Sequence, residues 1–586
     1  MSLAERRLNT RFGLAAGSRL AAYLTPQNLV LAGCVAVALW IVAVPVWALL
    51  YNAFTEDTGF GPGAFSLTNF VEAYSSWQIL ALFRNSLVFA VGTAVTTFVL
   101  GGAVAWAVER TDAPGAALFH SLALLSFAIP GLLMAMAWIF VLSPNIGWAN
   151  ALMKNAFGLT QAPLNVYSMA GMVWALSSHY FPLSYLSLGP ALRVLDVRME
   201  EAGHVSGGRT WKVLTRITLP LLRPAIMSAM LILFVLGMSS YEVPRLIGRP
   251  ARIDVFTTDI QSAIVQTPPE FGVASALALT LLGICVVAVF FYRRSTRHAE
   301  AFATITGKGY RPTRIELGAW RWPVALGIGL LFVLALGLPL LTLVWQSFFR
   351  NLALPFVHSD APFTLDNYKF VLSYPIFLAA VKTSVLLAAL AATIVSALTL
   401  VMAWVALRTV PRFGWLIDAL AFIPIAIPGV IVGAGILVAY LMLPIPVYNT
   451  IWILLIAYVT LYLPYGMRFS SSGISQIHRE LEEVAQMCGA SPFRRLTRIV
   501  APLLAPALLA GWLFIFLMAA RVLSLPILLA GPRSQTMAVT LFDLWTNGQG
   551  TELAALGLIW SMLMAMIAAI FYALARRSAA AALART

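Results

Sequence analysis

The sequence predicts an all-α polytopic membrane protein, about 12 transmembrane helices arranged as two parallel six-helix repeats. Three observations carry that reading: the composition, a series of apolar segments, and a repeat at constant offsets. Of the 586 residues, 60% are hydrophobic and 10% charged, where an ordinary soluble domain carries about a quarter charged. A bilayer absorbs that imbalance, because each helical span needs roughly 20 apolar residues. Such stretches lie near 28–52, 85–108, 117–142, 166–190, 221–241, 273–292, 322–346, 380–406, 415–443, 449–467, 503–530 and 554–575.

The first apolar stretch is longer than a signal-peptide core and no small-residue cleavage site follows it, so it reads as a retained span. It stands behind a basic segment with Arg6, Arg7, Arg11 and Arg19. Twelve spans place both termini on one side, and the Lys and Arg residues gather in the segments of that side. Acids show no such preference. The positive-inside rule then makes that side cytoplasmic. The net charge of +15 has no soluble basic face to occupy, which excludes a nucleic-acid partner; the partner of these helices is the lipid bilayer. Cys34 and Cys285 fall in apolar spans and Cys488 in an inside loop. They read as small hydrophobes, without metal-ligand spacing.

The two halves repeat. Asn69, Ser86, Trp106, Arg110, Pro130 and Gly131 recur 298 residues later as Asn367, Ser384, Trp404, Arg408, Pro428 and Gly429. Tyr180, Pro182, Glu201, Gly207, Ile217, Pro220, Pro224 and Pro244 recur at an offset of 282 as Tyr462, Pro464, Glu483, Gly489, Ile499, Pro502, Pro506 and Pro526. The lost 16 residues belong to the outside loop at 143–164. Six spans per copy make the duplication parallel. The expected units are a first repeat over 1–292, a basic cytoplasmic linker over 293–321 and a second repeat over 322–586.

One inside loop in each half is long and patterned. The first reads Glu201-Ala202-Gly203, then Gly207, then Ile217-Thr218-Leu219-Pro220; the second reads Glu483-Val484-Ala485, then Gly489, then Ile499-Val500-Ala501-Pro502. The pattern predicts a short helix, a break and a second helix. Glu200, Glu201, Glu480, Glu482 and Glu483 suit a helix N-terminal region, where the macrodipole favours negative charge. Gly207 and Gly489 permit a positive-φ turn, and the prolines suit the start of the following membrane helix.

These loops resemble the EAA loop of type I ABC importer permeases, E-A-A-x3-G-x9-I-x-L-P, with both halves fused in one chain. Gly203 departs from the pattern in the first copy, Val484 and Ala501 in the second. The resemblance implies a type I importer transmembrane fold whose short loop helices dock on two copies of a cytoplasmic ABC ATPase. It also implies an extracytoplasmic solute-binding protein and a location in the bacterial inner membrane. ATP and Mg belong to the partner ATPase, and this chain carries no cofactor and no resident metal. In keeping with that, there is no G-x-x-x-x-G-K-[ST] phosphate loop: Gly307-Lys308 has Phe302 where the first glycine should stand. The segments Tyr241-Glu242-Val243-Pro244 and Leu523-Ser524-Leu525-Pro526, with Leu541-Phe542-Asp543-Leu544-Trp545, resemble the ferric-iron importer group. Thiamine, phosphonate and sugar phosphate importers are relatives of that group and stay open as alternatives for the cargo.

Candidate path residues are few. Arg521 is a charge drawn inside a span, where it costs roughly 2.5–3.5 kcal/mol on insertion scales; it reads equally as a path residue or as a structural pair. Tyr241 and Glu242 end the fifth span, facing the cargo or marking the aromatic belt, and Ser524 lies in the corresponding segment of the second half. The histidines are scattered, with no pair at helical ligand spacing. A secondary transporter of twelve spans is the rival from another class. It would need ion-coupling residues at mid-membrane and has no use for two patterned loops.

Overall fold

The computed structural model describes residues 26–56, 63–194, 197–296, 314–355, 362–409 and 411–583. Arg6, Arg7, Arg11 and Arg19 and most of the 293–321 linker lie outside the described residues. The first half runs through α1 (Pro26–Ala53), α2 (Gln78–Arg110), α3 (Ala116–Leu125), α4 (Gly131–Leu142), α5 (Met169–Val194), α6 (Val197–Val205), α7 (Leu219–Ser239), α8 (Phe256–Val265) and α9 (Phe271–Thr296). The second repeats the order with α10 (Arg321–Phe332), α11 (Leu338–Ser347), α12 (Pro375–Trp404), α13 (Pro411–Phe422), α14 (Gly429–Met442), α15 (Ile451–Ser475), α16 (Glu480–Met487), α17 (Ala501–Arg521), α18 (Met537–Thr546) and α19 (Gly550–Leu583). A π-helical turn, Val333–Gly337, joins α10 to α11.

Among the described residues nine helices are long and apolar enough to cross a membrane, and eleven if each of two bent pairs is one span. The bent pairs are Ala116–Ala128 with Gly131–Leu142, at 101°, and Gly414–Ile425 with Gly429–Met442, at 102°. They correct the expectation of straight spans at 117–142 and 415–443. Each break sits at the repeated Pro-Gly pair, where proline removes a backbone donor and disfavours helix in the residue before it. The span expected at 166–190 is α5. Its Ser177, Ser178, His179 and Tyr180 leave it less apolar than the rest, and it falls outside that count.

Much of the repeat is structural. The Asn69 amide donates to the carbonyls of Asn52 and Thr55 at the end of α1, at 2.9 and 2.7 Å. Asn367 does the same for Ser347 and Phe349 after α11, at 2.9 and 2.7 Å. Ser86 and Ser384 accept the backbone N–H groups of Phe256 and Met537 at the starts of α8 and α18. Both pairs satisfy helix-end groups that no lipid could.

The first helix of each half crosses to the other. α1 packs on α14, and α11 packs on α4. A Cβ on Gly435 would stand 2.7 Å from the Pro45 carbonyl, so that crossing needs a glycine. One hydrophobic core therefore runs through both halves, from Phe89, Trp138 and Ile247 to Leu387, Ile436 and Phe516. The halves form one body with a seam between α5 and α15.

Candidate functional site

Two features recur at the loop face and a third lies on the seam. At the loop face α6 and α16 are the short helices that the motif predicts. Gly207 follows α6 at φ +79° and Gly489 follows α16 at φ +78°, the left-handed turn that a Cβ disfavours. Beyond each turn come a short helix, Thr210–Val213 or Pro492–Arg495, a π-helical turn, Leu214–Thr218 or Leu496–Val500, and then α7 or α17. Pro220 and Pro502 stand in the first turn of those membrane helices, where no intrahelical donor is lost. Gly203 has a packing reason: a Cβ there would lie 2.6 Å from the Ile217 side chain.

The acids of the loops divide by role. Glu201 and Glu483 are exposed. Glu200 instead pairs with Arg110 at the end of α2 and accepts from the Thr218 hydroxyl at 2.6 Å. Glu482 pairs with Arg408, just past the end of α12, at 3.3 Å, and accepts from the Trp404 indole at 2.9 Å. Arg408 also donates to the carbonyls of Ile474 and Ile477 at the end of α15. Both pairs are nearly closed to solvent. Glu200 and Glu482 stand in the first turns of α6 and α16, where the macrodipole favours a negative charge, and each is also held by a specific arginine, which ties the loop helix to a membrane helix. Opposite these anchors the loops expose apolar side chains. Met199 and Val205 stand out of the first loop, and Leu481, Val484, Met487 and Phe493 out of the second.

The seam holds a cavity of about 100 Å³ lined by Gly131, His179, Tyr180, Glu242, Tyr462, Met518, Arg521 and Val522. α5 and α15 supply the repeat-related Tyr180 and Tyr462. Helix α7 ends at Ser239 and α17 at Arg521, and the residue after each, Ser240 or Val522, is extended, so both helices break beside the wall that Glu242 and Arg521 line. The span drawn over 503–530 is corrected accordingly: Arg521 is the last helical residue and lies beside the break. The Arg521 guanidinium donates to the Phe127 carbonyl at 3.2 Å and contacts the Met518 sulfur at 3.0 Å, with the Phe127 ring 5.7 Å away. The Glu242 carboxylate lines the same wall and lies within electrostatic reach of Arg521. The phenols of Tyr180 and Tyr462 lie within the same reach of both charges.

Of the four candidate path residues, Glu242 and Arg521 meet across this cavity. Tyr241 is buried in the apolar core with its hydroxyl unpartnered. Ser524 sits against Gly429, where a Cβ would come within 2.6 Å of its hydroxyl oxygen. Neither belongs to the lining. His179, Tyr180 and Tyr462 were not marked as path residues by the sequence, although the tyrosines and Gly131 carried a signal in their constant offsets. Among the described residues no group of three or more His, Cys, Asp or Glu side chains is placed to hold a metal.

Comparison with known proteins agrees with the two-fold layout. The family model for the binding-protein-dependent transport system inner membrane component matches twice, over residues 98–300 and 396–584. The putative ferric transport system permease protein FbpB 1 of Haemophilus influenzae is 24% identical over 492 residues, covering 83% of this chain and 75% of that protein. The ferric transport system permease protein FbpB of Actinobacillus pleuropneumoniae is 23% identical over 536 residues, covering 90% and 75%. The putative 2-aminoethylphosphonate transport system permease protein PhnV of Salmonella typhimurium is 33% identical over 138 residues, which is 24% of this chain and 52% of that one. With two matching regions, one per half and each containing its short loop helix and glycine turn, this chain belongs to the binding-protein-dependent transport system inner membrane component family.

Proposed function

We propose that this chain is the complete transmembrane pathway of an importer that moves ferric iron from an extracytoplasmic solute-binding protein into the cytoplasm. Two copies of a separate ATPase, which hold the ATP and Mg, drive it. The observation that carries the reading is the duplicated loop: a short helix with exposed apolar residues, anchored by a buried ion pair and followed by a positive-φ glycine. Glu201, Ala202, Gly203 and Gly207, with Ile217, Leu219 and Pro220 behind them, form one docking element. Glu483, Val484, Ala485 and Gly489, with Ile499, Ala501 and Pro502, form the other. Exposed apolar side chains on a polar loop mark a protein contact, and an ATPase dimer needs two. The loop face is then cytoplasmic, with both termini on that side. The seam cavity is the path, and Glu242 and Arg521 act on the cargo there.

Ferric iron is supported by the names of the two relatives that match most of the chain. A second reading, a phosphonate-like anion, is supported by Arg521 in the cavity and by the shorter match to the aminoethylphosphonate permease. Uptake into lipid vesicles holding this chain and its ATPase, with binding protein outside and ATP inside, tests the function. Ferric uptake that requires all three proteins and ATP is expected. Uptake driven by an ion gradient without the ATPase would overturn it.

A further inference from the structure

The seam cavity is not symmetric, although the halves around it are. Glu242 aligns with Ser524 and Arg521 with Ser239 at the 282-residue offset. Each half has thus kept one charge, of opposite sign, and the two face one shared space. We propose that Glu242, Tyr180, Tyr462 and His179 form a transient site for one ferric ion per chain, and that Arg521 keeps this site weak enough to release it. This rests on the ferric reading above and names the residues that would handle the ion.

The donor chemistry fits a hard trivalent cation. A carboxylate, two phenols and an imidazole converge from α5, α15 and the segment after α7 on one cavity. The four groups line one cavity of about 100 Å³, so a single ion can reach several of them. An ion there gives up part of its water shell and takes protein oxygens in its place, as ions do in selective paths. The two phenols lose their protons to water as they bind. One carboxylate and two phenolates then balance the three positive charges of the ion.

Arg521 adds one positive charge beyond that balance. Its bonds to the Phe127 carbonyl and Met518 hold it in the wall, and among the described residues no ion pair of 4.0 Å or less joins it to Glu242. It therefore leaves the carboxylate open to the ion while opposing the bound state. A path must bind well enough to admit an ion and weakly enough to let it go. Here the two requirements fall on two residues from different halves.

This predicts effects of opposite sign. A unit charge a few ångströms away changes cation binding by about tenfold or more at an effective dielectric of about 20. The full chain in lipid nanodiscs is titrated with ferric nitrilotriacetate, with bound iron and the visible phenolate-to-iron charge-transfer band followed together. About one iron per chain and a band abolished by Tyr180→Phe with Tyr462→Phe are expected. Glu242→Gln should weaken binding by about tenfold or more. Arg521→Gln should tighten it by a similar factor while slowing uptake in vesicles, and Arg521→Lys should behave as the parent.

No iron-dependent band in a parent chain whose vesicles import ferric iron would overturn the site and leave the function standing. Vesicles that import another solute and no ferric iron would overturn the function and the site together. The reversed pattern, with Arg521→Gln weakening and Glu242→Gln tightening, would assign the cavity to an anion and overturn the proposal.

Discussion

Arg408→Met is the sharpest perturbation of the loop anchors. It strands the Glu482 carboxylate in a nearly closed site, with only the Trp404 indole left from its two partners. It also releases the Ile474 and Ile477 carbonyls at the end of α15. Removing one partner of a buried ion pair costs about 3–5 kcal/mol, because the remaining charge stays desolvated. Glu482→Gln should cost less, about 1–3 kcal/mol: the glutamine oxygen still accepts from Trp404, and Arg408 keeps two carbonyls. The double change Arg408→Met with Glu482→Met should recover most of the single loss, since an apolar pair needs no compensation. Unfolding of the chain in lipid nanodiscs gives the three stabilities, and hydrogen exchange over Glu480–Met487 reports whether α16 has come loose. Equal stability of Arg408→Met and the parent, or a greater loss in Glu482→Gln than in Arg408→Met, would refute the reasoning.

Three further outcomes follow from the loops. Gly203→Ala puts a Cβ 2.6 Å from the end of the Ile217 side chain, which can swing away, while alanine favours the helix by about 0.5–1 kcal/mol; thermal unfolding should move by less than about 1 kcal/mol, and Ile217→Val in the same chain should shift it toward stability. Gly489→Pro, which cannot adopt φ +78°, should abolish transport while membrane insertion persists, and normal ATPase binding with full transport would contradict the docking role. Asn150 ties the 143–164 loop together through the carbonyls of Leu142, Ser143 and Leu164 and the Leu164 N–H. We infer that this loop, 16 residues longer than its counterpart, meets the binding protein; Asn150→Ala should then lower binding-protein-stimulated ATP hydrolysis and spare the basal rate, and normal stimulation would contradict that contact.

Composition and repeat offsets sufficed for the architecture because a bilayer leaves few options: helices of one length, with their backbone groups satisfied internally. They did not suffice for the breaks that build the cavity. Pro130-Gly131 and Pro428-Gly429 stood out as repeats, yet nothing local says that such a pair turns a span by about 100° rather than kinking it. Arg521 was drawn inside a span because Val522, Leu523 and Leu525 continue the apolar run, and no glycine or proline marks the end of α17. That helix stops at Arg521, with Val522 extended beside the cavity that Glu242 shares from the other half. The anchors show the same limit. Arg110 and Arg408 repeat at 298 and Glu200 and Glu482 at 282, so arginine and glutamate belong to different alignment blocks and only the packing of helix ends unites them. The polar run Ser177, Ser178 and His179 weakened α5 as a span for the reason that made it useful, since those side chains face the protein interior.

The central claim is that one chain supplies both docking elements and the whole path. The mass of the detergent-solubilised complex, purified with its native ATPase, tests it most directly. One copy of this chain with two ATPase subunits is the predicted composition. Two copies of this chain per ATPase pair would contradict it, because each chain would then leave a loop helix, α6 or α16, without a partner.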